Sequence, residues 1–423
     1  MSAYKPNQKK DVLDEEGVMP RSLRFNQHSV VKDLPRLVVY APADKASILP
    51  STSFKVVLPR DYLLAGSNQP VRMRCYATAT GTGGTYIRFI NNIASALFNR
   101  ITIKIGHTTV QDIDNFNVIN NLFTEMQLTS DWASNSGVLA GHEGVSARNT
   151  ASAGKYYEFE LHIMRLLSSL LPTYLRSQEI TLEFFTNPAT SALETDKTSP
   201  TYTVTDFEAI CDCIYLHDQK RIEAVSNNLV IPFESYKVQS QTIASGLTSY
   251  NVKLNANFKN LQGLAVVFLI DGDLSDMTAN DRFETFQKDN LKSMVVKING
   301  QRQVHRESID FSKNQGYYEM LKFFGNKPHD RVLGGTYAQF NADDKFVSAL
   351  DFSPVHHNPQ HENDVPIVGG GIQVDAGTMS LELQWSSATP AQLQAYIIYK
   401  IGSCLYYKDN KVTWSEWVNK KFI

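Results

Sequence analysis

The densest set of metal-ligand side chains in the chain is His356-His357-Asn358-Pro359-Gln360-His361-Glu362. A divalent ion needs imidazole nitrogens held about 2.0–2.1 Å away by rigid elements, and a Pro- and Asn-rich connection supplies none. The cluster reads as a solvated loop. Asp271-Gly272-Asp273-Leu274-Ser275-Asp276 opens with the alternating oxygens of a calcium loop. Its sixth position is Asp276 where the EF-hand turn needs glycine, and its twelfth is Arg282 where a glutamate is required. That excludes an EF-hand and leaves an acidic turn. Gly81-Thr82-Gly83-Gly84 and Gly369-Gly370-Gly371 are glycine-rich, yet neither runs into the Lys-Ser/Thr pair of a phosphate loop. No serine occupies a Gly-x-Ser-x-Gly elbow. Cys75, Cys211, Cys213 and Cys404 lack the paired spacing of a zinc site and are expected as buried thiols in a reducing compartment. No catalytic, cofactor-binding or metal-ligating residue is therefore expected, and no cofactor.

Whatever these residues do, a large and ordinary core must position them. Of 423 residues, 42% are hydrophobic and 20% charged, a globular composition too apolar for disorder. This length favours two compact domains of roughly 150–200 residues. With 41 basic and 43 acidic residues the formal charge is -2, so no global field would hold the chain on nucleic acid or an anionic membrane. Neither genome coating nor sequence-specific nucleic-acid binding is expected. There is no uninterrupted apolar run of about 18 residues, and the first residues lack the apolar core of a signal peptide. A soluble product made in the cytosol is expected.

The strongest organisational signal is internal repetition, which fixes architecture before fold is considered. Residues 100–126, RITIKIGHTTVQDIDNFNVINNLFTEM, are echoed by residues 294–320, MVVKINGQRQVHRESIDFSKNQGYYEM. Ile103-Lys104-Ile105 matches Val296-Lys297-Ile298, Val110 matches Val304, Phe116 matches Phe311, and Glu125-Met126 matches Glu319-Met320. Other strands repeat in step: residues 52–58 with 248–254, 71–77 with 264–270, and 180–184 with 379–383. Alternating Phe54, Val56 and Leu58 read as a half-buried strand. Gly106 and Asn299-Gly300 read as turns. Phe116, Ile119, Leu122, Phe123 and Met126 have the spacing of a short amphipathic helix.

Taken in order, residues 1–45, with four prolines, read as an extended arm. Residues 46–217 form a first unit, 218–240 a connector, 241–407 a second unit, and 408–423 a tail carrying Trp414 and Trp417. The Ser-, Gly- and Asn-rich residues 129–154, and the shorter 325–345, read as exposed excursions after each helix. Seven or eight strands per unit with one short helix predict an all-β chain of two tandem eight-stranded jelly-roll sandwiches.

The repeated stretch resembles the double jelly-roll major capsid proteins, the lineage of adenovirus hexon, large nucleocytoplasmic DNA viruses, virophages, Polinton-like elements and tailless membrane-containing bacteriophages. The residues that carry the likeness are Ile103-Lys104-Ile105-Gly106 leading to Glu125-Met126, then Phe159-Glu160-Leu161, Leu170-Leu171-Pro172 and Ile180-Thr181-Leu182-Glu183-Phe184. It spans about residues 50–410, although the family's double glycine is Gly106-His107 here and Asn299-Gly300 in the second unit. The resemblance implies a non-enzymatic shell subunit with its two jelly rolls side by side. Three chains would form a pseudo-hexagonal capsomer that tiles the icosahedral shell of a DNA virus. Implied partners are the homotrimer, neighbouring capsomers, penton and minor capsid proteins, and an internal membrane. The implied location is the virion capsid, after synthesis in the host cytoplasm. Two other classes share tandem jelly rolls: enzymes of bicupin or glycan-amidase type, and carbohydrate-binding modules. The bicupin pattern needs His-x-His with a later Glu and His, and the 356–362 cluster lacks His-x-His.

Overall fold

The computed structural model describes residues 36–64, 70–144, 148, 154–168, 171–173, 178–215, 229–302, 309–326, 332–342, 345–353, 371–408 and 411–416. Eight principal strands build the first unit: Arg36–Pro42, Ser53–Val57, Val71–Thr82, Phe98–Ile105, Thr108–Asp114, Lys155–Glu160, Ile180–Thr186 and Thr198–Ile214. One sheet sets the first, eighth, third and sixth strands side by side, and the other the second, seventh, fourth and fifth. The second unit repeats this order with Leu229–Ile243, Ser249–Lys253, Phe258–Ile270, Leu291–Ile298, a fifth strand in two pieces (Gln301–Arg302 and Ile309–Asp310), Ser348–Asp351, Met379–Trp385 and Leu393–Lys408. This order is a jelly roll, present twice. A helix follows the fifth strand in each unit, Phe116–Gln127 in the first and Gln315–Phe324 in the second.

Alternation explains the first unit. Along Val71–Thr82, Met73, Cys75, Ala77 and Ala79 point inward, while Arg72, Arg74 and Tyr76 are half-exposed on the outer face. Phe54, Phe184, Phe98 and Phe207 fill the sandwich, with Phe54 stacked on Phe184 at 4.9 Å and edge-on to Phe207 at 4.7 Å. The second unit's third strand does not alternate: every residue from Leu264 to Leu269 is fully buried. Its inner face meets the other sheet, where Phe268 lies 6.2 Å from Trp385. Part of its outer face is covered by the Gln315–Phe324 helix. At Gly263 a Cβ would stand 2.8 Å from the Phe323 ring, so only glycine lets that helix approach. Burial on both faces turns an alternating strand into a continuous apolar run.

Several sequence expectations need correction. Residues 36–42, read as arm, are the first strand, paired from Arg36 opposite Ile214 to Pro42 opposite Glu208. Residues 229–240, read as connector, belong to the second unit's first strand. Both carry prolines, which misled because an edge strand needs no N–H on its free side. The tail's Lys411–Glu416 is a strand that sets Trp414 opposite Leu405 and leaves Trp414 partly exposed. Residues 129–154 are not structureless: Ser130–Trp132 is helical, Ala133–Gly137 is a wider π turn, and Arg148 is buried. Arg165–Ser168 is a 3-10 turn. Further short helices, Ile93–Leu97, Ala189–Ala192, Asp271–Ser275 and Tyr337–Asn341, add to the one expected per unit. Gly106, Asn299 and Gly300 do adopt positive φ at strand ends. Residues 1–35, 216–228, 417–423 and Val304 of the repeat lie outside the described residues.

Candidate functional site

Polar and aromatic side chains of both jelly rolls converge where the two meet. Helix Phe116–Gln127 presents Phe123, whose ring stands edge-on to Tyr236 at 4.7 Å and to Phe324 at 5.1 Å. Gln127 Nε2 donates to the Phe324 carbonyl at 3.0 Å, and Asn326 donates to the Met126 carbonyl. Beside them the first unit's fifth strand runs along the second unit's first strand. Burial raises the Asp112 carboxyl, but hydrogen bonds from Arg100 and Thr102, with Lys237 across the junction, hold it below its ordinary value. Desolvation also raises the carboxyl of half-buried Glu234. Lys400, 2.9 Å away, and Arg165 of the other unit outweigh that and keep it ionised.

A second cluster, of buried charge, joins the units elsewhere. Arg88 lies 2.6 Å from Glu194, both almost fully buried, and Arg148 bridges Glu194 at 3.5 Å to Asp281 of the second unit at 3.2 Å. Asp281 N–H donates to Glu194 at 3.1 Å, and Arg88 also donates to the Asn280 side chain. Arg282 crosses in return, donating to the carbonyls of Leu193 at 2.7 Å and Thr190 at 2.5 Å. Close by, burial pushes the Glu284 carboxyl up to about 7, against the opposing pull of Lys345. Lys345 bridges the Glu284 carbonyl at 3.0 Å and Glu125 of the first unit at 3.3 Å. Such desolvated pairs enforce one geometry more than they add stability, and lose several kcal/mol only when one partner is removed.

The motifs singled out in the sequence resolve into structure. Asp271–Ser275 is a helical turn. The Asp276 carboxylate accepts from Thr278 N–H at 2.8 Å, and its carbonyl accepts from Arg282 at 2.9 Å. The glycine-rich stretch at 81–84 is a turn, with Gly84 close against Asp196, and the two residues after it bind that carboxylate. That carboxylate accepts from Thr85 N–H, Thr85 Oγ1 and Tyr86 N–H at 2.7–3.0 Å, which lower its pKa to about 2. All four cysteines are buried and free. Burial raises each of them, Cys211 to about 12 and Cys213 to about 11, far from a reactive thiolate. No group of three or more His, Cys, Asp or Glu among the described residues could hold a metal ion, and residues 356–362 and 369–370 lie outside them. A cleft of about 340 Å³ on the first unit is lined by Lys55, Lys104, His107 and Glu183. Both lysines pair with Glu183, at 3.2 and 2.6 Å. Sequence reading missed Arg88, Glu194 and Arg148. The available signal was a charge set inside an apolar run, as in Ile87-Arg88-Phe89-Ile90.

No family model matches the chain, and no curated protein matches it in sequence. Solved structures do match over nearly the whole length. PBCV-1 VP54, fitted into a reconstruction of the virophage Sputnik, is 14% identical, with 92% of this chain and 97% of that one covered and a TM-score of 0.62. The fold is that of the double jelly-roll capsid proteins. A chain of the Sputnik virophage, 12% identical, covers 96% and 93% at a TM-score of 0.59. The Faustovirus major capsid protein, 9% identical, covers 89% and 91% at 0.58. Both jelly rolls therefore share one fold with these proteins, at very low identity.

Proposed function

We propose that the chain is a viral major capsid protein, a non-enzymatic shell subunit. The observation that carries this reading is the end-to-end match of both jelly rolls to capsid proteins of PBCV-1 and Faustovirus. Three chains supply six similar units to a pseudo-hexagonal capsomer, and divergence between the two units lets each face make different contacts. The first jelly roll takes in the strand at 36–42 and the second the strand at 229–243, so we draw the units as 36–215 and 229–416. The segments after the two helices form the outward side, and residues 1–35 clamp neighbouring capsomers or an inner membrane. Partners are further capsomers, penton and minor capsid proteins; the protein works in the virion capsid after synthesis in the host cytoplasm. The non-enzymatic part of this reading is supported by the likeness to structural capsid proteins.

Electron microscopy of the purified chain tests this reading. Three-fold particles of near-hexagonal outline are expected, and a field of two-lobed single chains would overturn it. Deleting residues 1–35 should leave those particles intact and lower the yield of assembled shells; an undiminished yield removes the clamp role.

A further inference from the structure

In the segment after the first unit's helix, Trp132 closes over two histidines. Its ring lies 5.6 Å from that of His142 and stands edge-on to that of His162 at 5.7 Å. The backbone around it is shaped to hold it there. Thr129 Oγ1 accepts from Trp132 N–H at 3.2 Å, and His142 N–H donates to the Gly137 carbonyl at 2.7 Å. A Cβ at Gly137 would stand 3.1 Å from the indole, so the π turn lies directly on the ring. The segment is tied to the body of the first jelly roll at its far end. Ile93 N–H donates to the Ala140 carbonyl at 2.8 Å, Glu143 N–H to the Asn91 side chain at 3.1 Å, and Lys155 pairs with Glu143 at 2.7 Å. Between these ties Ser134, Asn135, Ser136, Val138 and Leu139 face water.

Two imidazoles beneath one ring are poorly placed to carry charge. His162 is buried, and burial together with Arg165 pushes it down to about 3. Its counter-charge is Glu160, 3.6 Å from Nδ1. Burial raises that carboxyl, and Glu158 adds to the rise against the pull of Arg72, so the counter-charge weakens as acid is added. Around His142, burial, Lys345 and Arg148 oppose the cation, outweigh Glu125 and lower its pKa. We propose that residues 129–144 are an acid-released clasp: protonation of His142 and His162 lifts Trp132 off them while the sheets stay folded. Both histidines take up protons more readily once uncovered, so opening is favoured as pH falls below their ordinary 6.5. For His162 alone the opened population should grow about 25-fold between pH 7 and pH 5, and His142 adds to this. Local opening of a surface segment needs far less free energy than unfolding a sheet.

Hydrogen exchange of the full chain, read by mass spectrometry and corrected for the intrinsic effect of pH, tests the proposal. Amides of residues 133–142 should lose protection by about 25-fold or more between pH 7 and pH 5, while the strand Val71–Thr82 keeps its own. The double variant His142→Gln/His162→Gln should stay protected at pH 5. A readout on the parent alone stands beside it: the logarithm of the opening constant should fall with pH at a slope of about one to two protons. That slope decides if the double variant is already open at pH 7. Equal protection at both pH values, a slope near zero, or acid loss in the double variant equal to the parent's overturns the clasp. Loss from Val71–Thr82 in step with 133–142 also overturns it, because the whole unit is then unfolding.

Discussion

The ring of Phe123 meets the ring of Tyr236 at 4.7 Å between centroids, inclined by 63°, and this edge-on contact ties the helix of one jelly roll to the first strand of the other. Both side chains are fully buried. The two sandwiches therefore share a core, which fixes their relative orientation before any second chain is present.

Truncating that contact should loosen the whole chain. Phe123→Ala removes a buried ring touching Tyr236 and Phe324, so a loss of about 3–5 kcal/mol is expected. Urea denaturation followed by tryptophan fluorescence should show an earlier transition that separates into two as the units uncouple. A midpoint within error of the parent would mean the contact contributes little.

Buried and exposed ion pairs should respond differently. Glu194→Ala removes the carboxylate that faces both Arg88 and Arg148 in a desolvated site, at a cost of about 3–5 kcal/mol. Glu179→Ala breaks the exposed pair with Arg60 and should cost less than about 1 kcal/mol. Equal costs in thermal unfolding would contradict the buried assignment.

Glu284 predicts a pH dependence of definite sign. Its folded pKa, about 7, lies above the ordinary 4.5 because burial disfavours the carboxylate, despite Lys345 and Arg148 and with Glu125 and Asp281 adding to the rise. A raised acid holds its proton more tightly when folded, so its contribution is complete below about pH 4.5 and lost as pH rises through about 7. Glu284→Gln should flatten the decline between about pH 5 and pH 8 by about 3 kcal/mol. His162 works oppositely: burial lowers it to about 3, so its contribution is present above about pH 6.5 and lost on acidification. An unchanged slope in the Glu284→Gln variant would place the titration elsewhere.

The close approach of Gly84 to Asp196 gives a backbone prediction. Gly84 has φ +64°, and a Cβ there would stand 2.5 Å from Asp196 Oδ1. Gly84→Ala should lower stability by more than about 1 kcal/mol, read as a drop in melting temperature. An unshifted melting temperature would show that the Asp196 turn adapts.

Much of the fold was legible because duplication supplied an internal alignment. Ile103-Lys104-Ile105 and Val296-Lys297-Ile298 do fall on equivalent fourth strands, and Glu125 and Glu319 on equivalent helices. The first strands at 36–42 and 229–243 were hidden because proline at an edge strand looks like a linker. The junction was hidden for a different reason. Arg88, Glu194 and Asp281 are ordinary charges in sequence, and only tertiary packing decides which of the 43 acids meets which base in a dry site. One trace was readable: Leu264–Leu269 lacks the polar alternation of Arg72, Arg74 and Tyr76, and that difference marks which unit has its outer sheet face covered.

Multi-angle light scattering on the purified full-length chain decides most directly whether the double jelly roll is a capsomer subunit. The predicted mass is three times 47.5 kDa, unchanged on dilution through the micromolar range. A mass of 47.5 kDa at every concentration would contradict the capsomer.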